Sequence, residues 1–223
     1  MTEPLLDCIE IETGPNPQRS VIWLHGLGAD GNDFASLVPE LRLQGLPAVR
    51  FIFPHAPIQP VAINNGMAMR AWYDIYPPGS AVREDEAGLR ASQARVQALI
   101  ARENERGIAS EHVVLAGFSQ GCAMTLQTGL RHPQKLAGLL GLSGYLPLAA
   151  LTDAERDPAN QDTPVFLAHG ISDPVIVLAR AQDTLRWLHE HGYDAQLKTY
   201  PMPHSVCMPE VLDISDFLRR VLA

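Results

Sequence analysis

The strongest indication of the fold comes from Val113-Val-Leu-Ala-Gly-Phe-Ser119-Gln-Gly121, which continues into the largely apolar run Cys122-Ala-Met-Thr-Leu126. Its first four residues form a short, fully apolar run of the kind that is typical of a buried strand. From Gln120 to Arg131 the pattern predicts a helix instead. A strand that passes directly into a helix through a glycine-flanked turn indicates a sheet whose strands are connected by helices.

The same alternation continues on both sides of this stretch. We predict further strands at 20–24, 49–53, 137–142, 165–168 and 196–200, an antiparallel edge strand at 5–12, and helices at 33–43, 84–106, 179–191 and 210–221. Fully apolar strands that alternate with helices predict a mainly parallel sheet with helices on both faces. The segments 54–83 and 144–164 show no regular pattern and are predicted to be long loops, either functional or solvated excursions.

The composition indicates a single folded domain over residues 1–223. Of the 223 residues, 46% are hydrophobic and 19% are charged, which excludes intrinsic disorder. There are 17 Lys and Arg against 25 Asp and Glu, and the formal net charge of −8 disfavours nucleic acid as a partner. The three cysteines are far apart and form no CxxC pair, which predicts a reducing compartment.

Neither export nor membrane insertion is predicted. The N-terminus lacks the basic and apolar regions of a leader peptide, so we expect a cytoplasmic location. The longest uncharged and apolar run, Ala137–Thr152, is shorter than the roughly 20 residues that a membrane span needs, and it contains several glycines.

Ser119 has the surroundings of a nucleophile. Gly117 and Gly121 lie two residues away on either side, where the turn is so tight that larger side chains would collide. The turn would lift the Ser119 hydroxyl clear of the sheet and direct the backbone N–H of Gln120 into the same space. A glycine-rich helix start with an unused serine is the alternative interpretation.

A catalytic serine needs a histidine base within hydrogen-bond reach. The histidines that follow Ser119 are His132, His169, His189, His191 and His204. His204 follows the last predicted strand in the proline-bounded loop 201–205, where it could overhang the serine, and it is the predicted base. His189 and His191 lie two residues apart on a predicted helix and point to different sides, so no metal site is expected there.

The base in turn needs an acid that orients it, and in this strand–turn–helix context the acid precedes the histidine. Asp173 follows the predicted strand 165–168 and therefore lies at the same edge of the sheet as Ser119 and His204. We predict that Asp173 is the acid. Its alternative role is an Asx turn or a helix cap before Pro174.

A second oxyanion donor is predicted in the segment His25-Gly-Leu-Gly-Ala-Asp-Gly31, which follows the strand 20–24 at the same edge. The N–H of Leu27 is the natural partner for the N–H of Gln120. The glycines also match a dinucleotide-binding fingerprint, but the next strand ends in Phe-Pro-His without the carboxylate that would hold a ribose.

Met67, Met69, Trp72 and Tyr73 form an apolar and aromatic cluster within the predicted loop 54–83. One interpretation is that these four residues form a wall of an acyl-binding groove. The alternative is local packing underneath the loop.

Five motifs occur in order along nearly the whole chain: Leu24–Phe34 (LHGLGADGNDF), Met67–Asp74 (MAMRAWYD), Gly117–Gly121 (GFSQG), His169-Gly170 with Asp173, and Pro203–Ser205. Together they resemble the acyl-protein thioesterases, a carboxylesterase or lysophospholipase-like branch of the α/β-hydrolases. One departure is visible, because the family histidine usually follows a Gly-containing approach such as G-x-x-H. Here the approach is Tyr200-Pro-Met-Pro-His204, and its two prolines stiffen the loop.

The resemblance implies a compact α/β-hydrolase fold without a large cap, and a serine carboxylic-ester hydrolase that needs no cofactor. It implies Ser119 as the nucleophile, Asp173 and His204 as its partners, and the backbone N–H groups of Leu27 and Gln120 as oxyanion donors. The expected substrates are short- to medium-chain acyl esters, with thioesters such as acylated proteins, and lysophospholipids, as further members, and the family often forms homodimers.

Two alternatives stay open at this point. The same triad on the same fold could serve an amidase or a peptidase, because it supports acyl transfer in general. The chain could also be a catalytically silent α/β-hydrolase that acts as a binding module, although the complete set of Ser119, Asp173 and His204 disfavours that interpretation.

Overall fold

The computed structural model describes residues 5–81 and 84–223, and these contain nine strands and six helices. The strands are β1 (Cys8–Glu12), β2 (Arg19–Leu24), β3 (Val49–Pro54), β4 (Ile58–Val61), β5 (Met67–Arg70), β6 (Val113–Phe118), β7 (Gly138–Leu142), β8 (Val165–Gly170) and β9 (Ala195–Tyr200). The helices are α1 (Asn32–Ala35), α2 (Glu86–Glu105), α3 (Gln120–Gly129), α4 (Ala149–Glu155), α5 (Leu178–Glu190) and α6 (Met208–Leu222). Residues 1–4, on which the expectation about a leader peptide partly rests, and the end of the predicted loop 54–83 lie outside the described residues.

The central sheet has seven strands in the order β1-β3-β2-β6-β7-β8-β9. All neighbouring pairs are parallel except β1 and β3, which are antiparallel with Ile9 opposite Phe53. The predicted parallel sheet and its antiparallel edge strand are therefore confirmed. Because β2, β6, β8 and β9 run in the same direction, the residues that follow them are brought to one edge of the sheet.

Helices cover both faces, and strand β2 shows how the sequence divides its side chains between them. Ile22 and Leu24 pack into the core beneath α2 and α3, whereas Val21 and Trp23 pack into the core beneath α1 and α6. Successive side chains of a strand point to opposite faces, so a strand between two helical layers is apolar at every position. Every residue of α3 is buried, which places its N-terminus firmly against the middle of the sheet.

Three segments differ from the prediction. The helix predicted at 33–43 is instead the short α1 followed by a 3-10 turn at Val38–Glu40. Pro39 explains the interruption, because proline has no N–H to donate to the carbonyl of Ala35, four residues earlier, where α1 ends. The predicted loop 54–83 contains the β4–β5 hairpin, and the predicted loop 144–164 contains α4 and a 3-10 turn at Pro158–Asn160.

Candidate active site

Ser119 connects β6 to α3 with a strained backbone, at φ +58° and ψ −115°. Non-glycine residues rarely adopt a positive φ, and strained backbone of this kind clusters at functional sites. The neighbouring glycines are sterically required: a Cβ on Gly117 would lie 2.2 Å from the carbonyl carbon of Gly121, and a Cβ on Gly121 would lie 2.1 Å from the oxygen of Leu24. The tight turn that the sequence predicts is present, with Ser119 at its apex.

Asp173 and His204 are hydrogen-bonded to each other. His204 Nδ1 lies 2.6 Å from Asp173 Oδ2, and the other carboxylate oxygen accepts the backbone N–H groups of Val175 (2.8 Å) and Ile176 (2.9 Å). Asp173 therefore forms an Asx turn through one carboxylate oxygen and contacts His204 through the other. Burial raises the pKa of Asp173, but the hydrogen bonds from His204, Ile176 and Val175 outweigh it and hold the pKa below its ordinary value.

The loops that carry the acid and the base are packed against each other beyond the ends of β8 and β9. The N–H of Ser172 donates to the Met202 carbonyl at 3.2 Å, and a Cβ on Gly170 would lie 2.3 Å from the Pro203 oxygen. The His204 ring lies against the ring of Phe118, with centroids 4.7 Å apart. Since Phe118 precedes Ser119, this contact places the imidazole beside the strained turn.

The segment after β2 also lies against this turn. A Cβ on Gly26 would lie 3.4 Å from the Cβ of Ser119, and the N–H of Gly28 donates to the Arg70 carbonyl at 2.9 Å. The N–H of Leu27 donates to no group within the part of the chain that the structure describes. Gln120 is the first residue of α3, where backbone N–H groups have no partner inside the helix. Two backbone donors are therefore available beside Ser119.

The structure separates the four residues of the predicted acyl-groove wall. Met67 is 65% exposed and Met69 is half-buried, with its Sδ atom 3.7 Å from where a Cβ on Gly28 would lie. Trp72 and Tyr73 instead lie in the core and are 0% and 4% exposed. The two aromatic residues offer almost no surface to a ligand. Their position corresponds to the alternative interpretation, which is local packing beneath the loop.

Polar side chains beside the site have contacts that the sequence interpretation did not foresee. The Gln120 side chain accepts the N–H of Trp72 at 3.0 Å and donates to the Tyr73 carbonyl at 2.8 Å. His169 Nε2 lies 2.7 Å from the Ile176 carbonyl, and both ring nitrogens of His25 are hydrogen-bonded to backbone. A signal was present, since each of these histidines lies at the carboxyl end of a strand and directly precedes a glycine.

Other titratable side chains that could have been functional make contacts that stabilise the fold instead. His191 Nδ1 lies 2.7 Å from the Trp187 carbonyl at the end of α5, which is the capping role expected for a histidine in a last helical turn. Cys122 lies beneath the turn, where burial raises the pKa of its thiol to about 12. Within residues 5–81 and 84–223, no group of three or more His, Cys, Asp or Glu side chains could hold a metal ion. In the same ranges no helix is long and apolar enough to span a membrane.

Glu210, which lies in the first turn of the helix after His204, is expected to make stability fall as pH rises. It is 0% exposed, and burial raises the pKa of its carboxyl from 4.5 to about 7. The folded state favours the neutral form, so stability is lost as pH rises from about 4.5 to about 7. Glu210→Gln should therefore gain stability relative to wild type over this interval, by an amount on the order of 3 kcal/mol.

Urea unfolding of wild type and Glu210→Gln at several pH values between 4.5 and 8 measures this difference. Glutamine keeps an oxygen that can accept the N–H of Cys207, as Glu210 Oε2 does at 3.4 Å. A stability difference that does not change with pH would contradict the prediction.

Comparison with known proteins identifies the family of this chain. Residues 6–222 match the phospholipase/carboxylesterase family. Acyl-protein thioesterase 1 of Neurospora crassa is 46% identical over 209 residues, which cover 89% of this chain and 85% of that protein. Acyl-protein thioesterase 1 of Gibberella zeae is 42% identical over 212 residues, with 91% and 90% covered.

Solved structures show the same fold. SOBER1 of Arabidopsis thaliana superposes with a TM-score of 0.84 at 31% identity, covering 92% of this chain and 99% of that one. Acyl-protein thioesterase 2 of Zea mays gives a TM-score of 0.83 at 26% identity, covering 96% and 99%. With its mainly parallel sheet, its helices on both faces and no large cap among the described residues, this chain has the α/β-hydrolase fold and belongs to the phospholipase/carboxylesterase family of acyl-protein thioesterase-like serine hydrolases.

Proposed function

We propose that Ser119, His204 and Asp173 form the catalytic triad of this hydrolase, and that Leu27 and Gln120 supply the oxyanion donors. The observation that carries the proposal is the 2.6 Å contact between His204 Nδ1 and Asp173 Oδ2, beside a serine held at φ +58°. An ionised Asp173 can accept a hydrogen bond but cannot donate one, so Nδ1 carries the ring proton. The other nitrogen, Nε2, is then the basic one.

In the proposed reaction, His204 Nε2 removes the Ser119 proton while the serine oxygen attacks the acyl carbonyl. The carbonyl oxygen becomes an oxyanion, to which the N–H groups of Leu27 and Gln120 donate. The intermediate collapses, the bond to the leaving group breaks, and His204 gives its proton to that group. Water then attacks the acyl-enzyme with the same base, which releases the acid and restores Ser119.

We infer that the substrates are acyl esters and thioesters of short to medium chain, with acylated proteins or lysophospholipids as the larger members of the class. The names of the relatives, acyl-protein thioesterase 1, support thioesters as substrates. The surface beside the site supports an apolar acyl group, because the half-buried Met69 lies against Gly28, next to Leu27. The homodimer and the cytoplasmic location expected from the sequence stay predictions.

A substrate panel tests this proposal. The purified protein would be assayed on p-nitrophenyl esters from acetate to palmitate, on matched acyl thioesters, and on the matched anilide. We expect ester and thioester turnover to exceed anilide turnover by several orders of magnitude, with labelling of Ser119 by a fluorophosphonate probe. Comparable rates on the anilide would indicate an amidase. A folded protein that neither reacts with the probe nor hydrolyses any substrate would indicate a silent binding module.

A further inference from the structure

His25 is a buried titratable side chain beside the site to which the proposed reaction gives no role. His25 directly follows β2, is 1% exposed, and uses both ring nitrogens. Its Nδ1 lies 2.7 Å from the Gly26 carbonyl oxygen, and its Nε2 lies 3.0 Å from the backbone nitrogen of Ala56.

These two contacts determine where the ring proton sits. The Ala56 nitrogen carries a hydrogen and can only donate, so His25 Nε2 must be the unprotonated acceptor. Nδ1 then holds the proton and donates it to the Gly26 carbonyl. Burial lowers the pKa of His25, which keeps the ring neutral and preserves both contacts at neutral pH.

The bond to the Gly26 carbonyl acts on the neighbouring residue. The carbonyl of Gly26 and the N–H of Leu27 belong to one planar peptide unit, so a hydrogen bond that fixes the carbonyl also fixes the direction of the N–H. A carbonyl that accepts a hydrogen bond polarises its peptide, which strengthens the donor at the other end. The N–H of Ala29 donates to the same carbonyl at the longer distance of 3.3 Å.

Trp72 forms hydrogen bonds both to the backbone of His25 and to the side chain of Gln120. Its indole Nε1 donates to the His25 carbonyl at 2.9 Å, and the two rings lie 5.3 Å apart. The backbone N–H of Trp72 donates to the Gln120 side chain at 3.0 Å. One buried residue therefore links the segment that carries the Leu27 N–H to the helix that carries the Gln120 N–H.

We infer that His25 is a positioning residue for oxyanion binding: its Nδ1–H holds the Gly26–Leu27 peptide so that the Leu27 N–H faces the reacting carbonyl. The inference rests on the proposed function, because it assigns His25 to that reaction. It explains why a polar ring is buried at the end of an apolar strand. It also gives the core residue Trp72 a role that does not require contact with a substrate.

Two substitutions separate the functions of the two nitrogens. In His25→Asn the side-chain amide nitrogen takes the place of Nδ1 and still donates to Gly26, but Ala56 loses its acceptor. In His25→Gln the terminal oxygen takes the place of Nε2 and still accepts from Ala56, but Gly26 loses its donor. If His25 only stabilised the fold, activity would follow stability in the two variants.

We expect the variant that keeps more activity, His25→Asn, to be the less stable of the two. His25→Gln should lose roughly 10- to 100-fold in kcat on a p-nitrophenyl ester with KM within about twofold, because a misdirected N–H acts on the transition state. A trifluoromethyl ketone, which forms an oxyanionic adduct with the serine, should bind His25→Gln more weakly by a similar factor. His25→Asn should retain most of the wild-type kcat although it unfolds at a lower temperature, because it leaves the Ala56 N–H unpaired.

Equal kcat losses in the two variants, or a loss confined to KM, would overturn the inference. Nitrogen-15 NMR of the His25 ring provides a readout that does not depend on turnover: we expect a protonated Nδ1 and an unprotonated Nε2. The opposite tautomer would also overturn the inference. A wild type that hydrolyses no ester would refute the proposed function, and the ring tautomer would still decide whether His25 holds the Gly26–Leu27 peptide.

Discussion

Replacement of Ser119 by alanine is expected to lower kcat on p-nitrophenyl esters by about 10⁴-fold or more, because no other group in the proposed mechanism can form the acyl-enzyme. The fold should be unchanged. Alanine carries the same Cβ as serine through the strained turn at φ +58° and removes only the hydroxyl oxygen. The measurement is steady-state kinetics beside thermal unfolding of both proteins.

Ser119→Gly is a matched control for backbone strain. It removes the nucleophile as alanine does, but glycine adopts a positive φ without steric cost. We expect it to be as inactive as Ser119→Ala and at least as stable. Ester hydrolysis that persists in both variants at near wild-type rates would disprove the assignment of Ser119.

Asp173→Asn is expected to lower kcat by about 10³- to 10⁴-fold at neutral pH. The carboxylate fixes the proton on His204 Nδ1 through the 2.6 Å contact and stabilises the imidazolium that forms when Ser119 is deprotonated. An uncharged amide supplies neither effect, and it can turn its NH₂ group toward the ring. Kinetics at pH 7 to 8 would measure the loss.

The same variant has an expected pH dependence of stability. The pKa of Asp173 is below its ordinary value of 3.8, so the stabilisation is present above that pH and is lost as pH falls through the lower folded-state value. The difference in unfolding free energy between wild type and Asp173→Asn should therefore narrow below about pH 4.

Asp153→Asn is the control for removal of a negative charge far from the site. Asp153 has a 61% exposed side chain and pairs with Arg156 at 3.2 Å on the surface. We expect its kcat to stay within about twofold of wild type, because exposed ion pairs contribute little. A comparable loss of activity in the two variants would contradict a specific role for Asp173.

Much of the fold could be predicted from the sequence because the signals are local. The fully apolar run at 113–116 followed by Gly117 and Gly121 defines a strand, a tight turn and a helix, and the structure contains all three. Parallel strands bring the residues that follow them to one edge. The proximity of Asp173 and His204 could therefore be expected without coordinates, and their hydrogen bond is present.

Weak local signals were not sufficient for other elements. The prediction of a helix at 33–43 did not take into account that Pro39 interrupts helical hydrogen bonding. The β4–β5 hairpin was missed because its strands have four residues each and one of them contains Pro60. A two-stranded ribbon tolerates a proline that a central strand would exclude, because part of its backbone needs no partner.

Local patterns in the sequence establish the order of elements and the residue types at the sheet edge, since both depend on patterns within a few residues. Long-range packing decided that Trp72 is buried rather than exposed to a ligand, and that its backbone bonds to Gln120, 48 residues away. It also decided that His25 receives the N–H of Ala56, 31 residues away. Such contacts depend on how the hairpin segment packs over the strand ends, and that packing is fixed by the register of distant parts of the chain rather than by any local pattern.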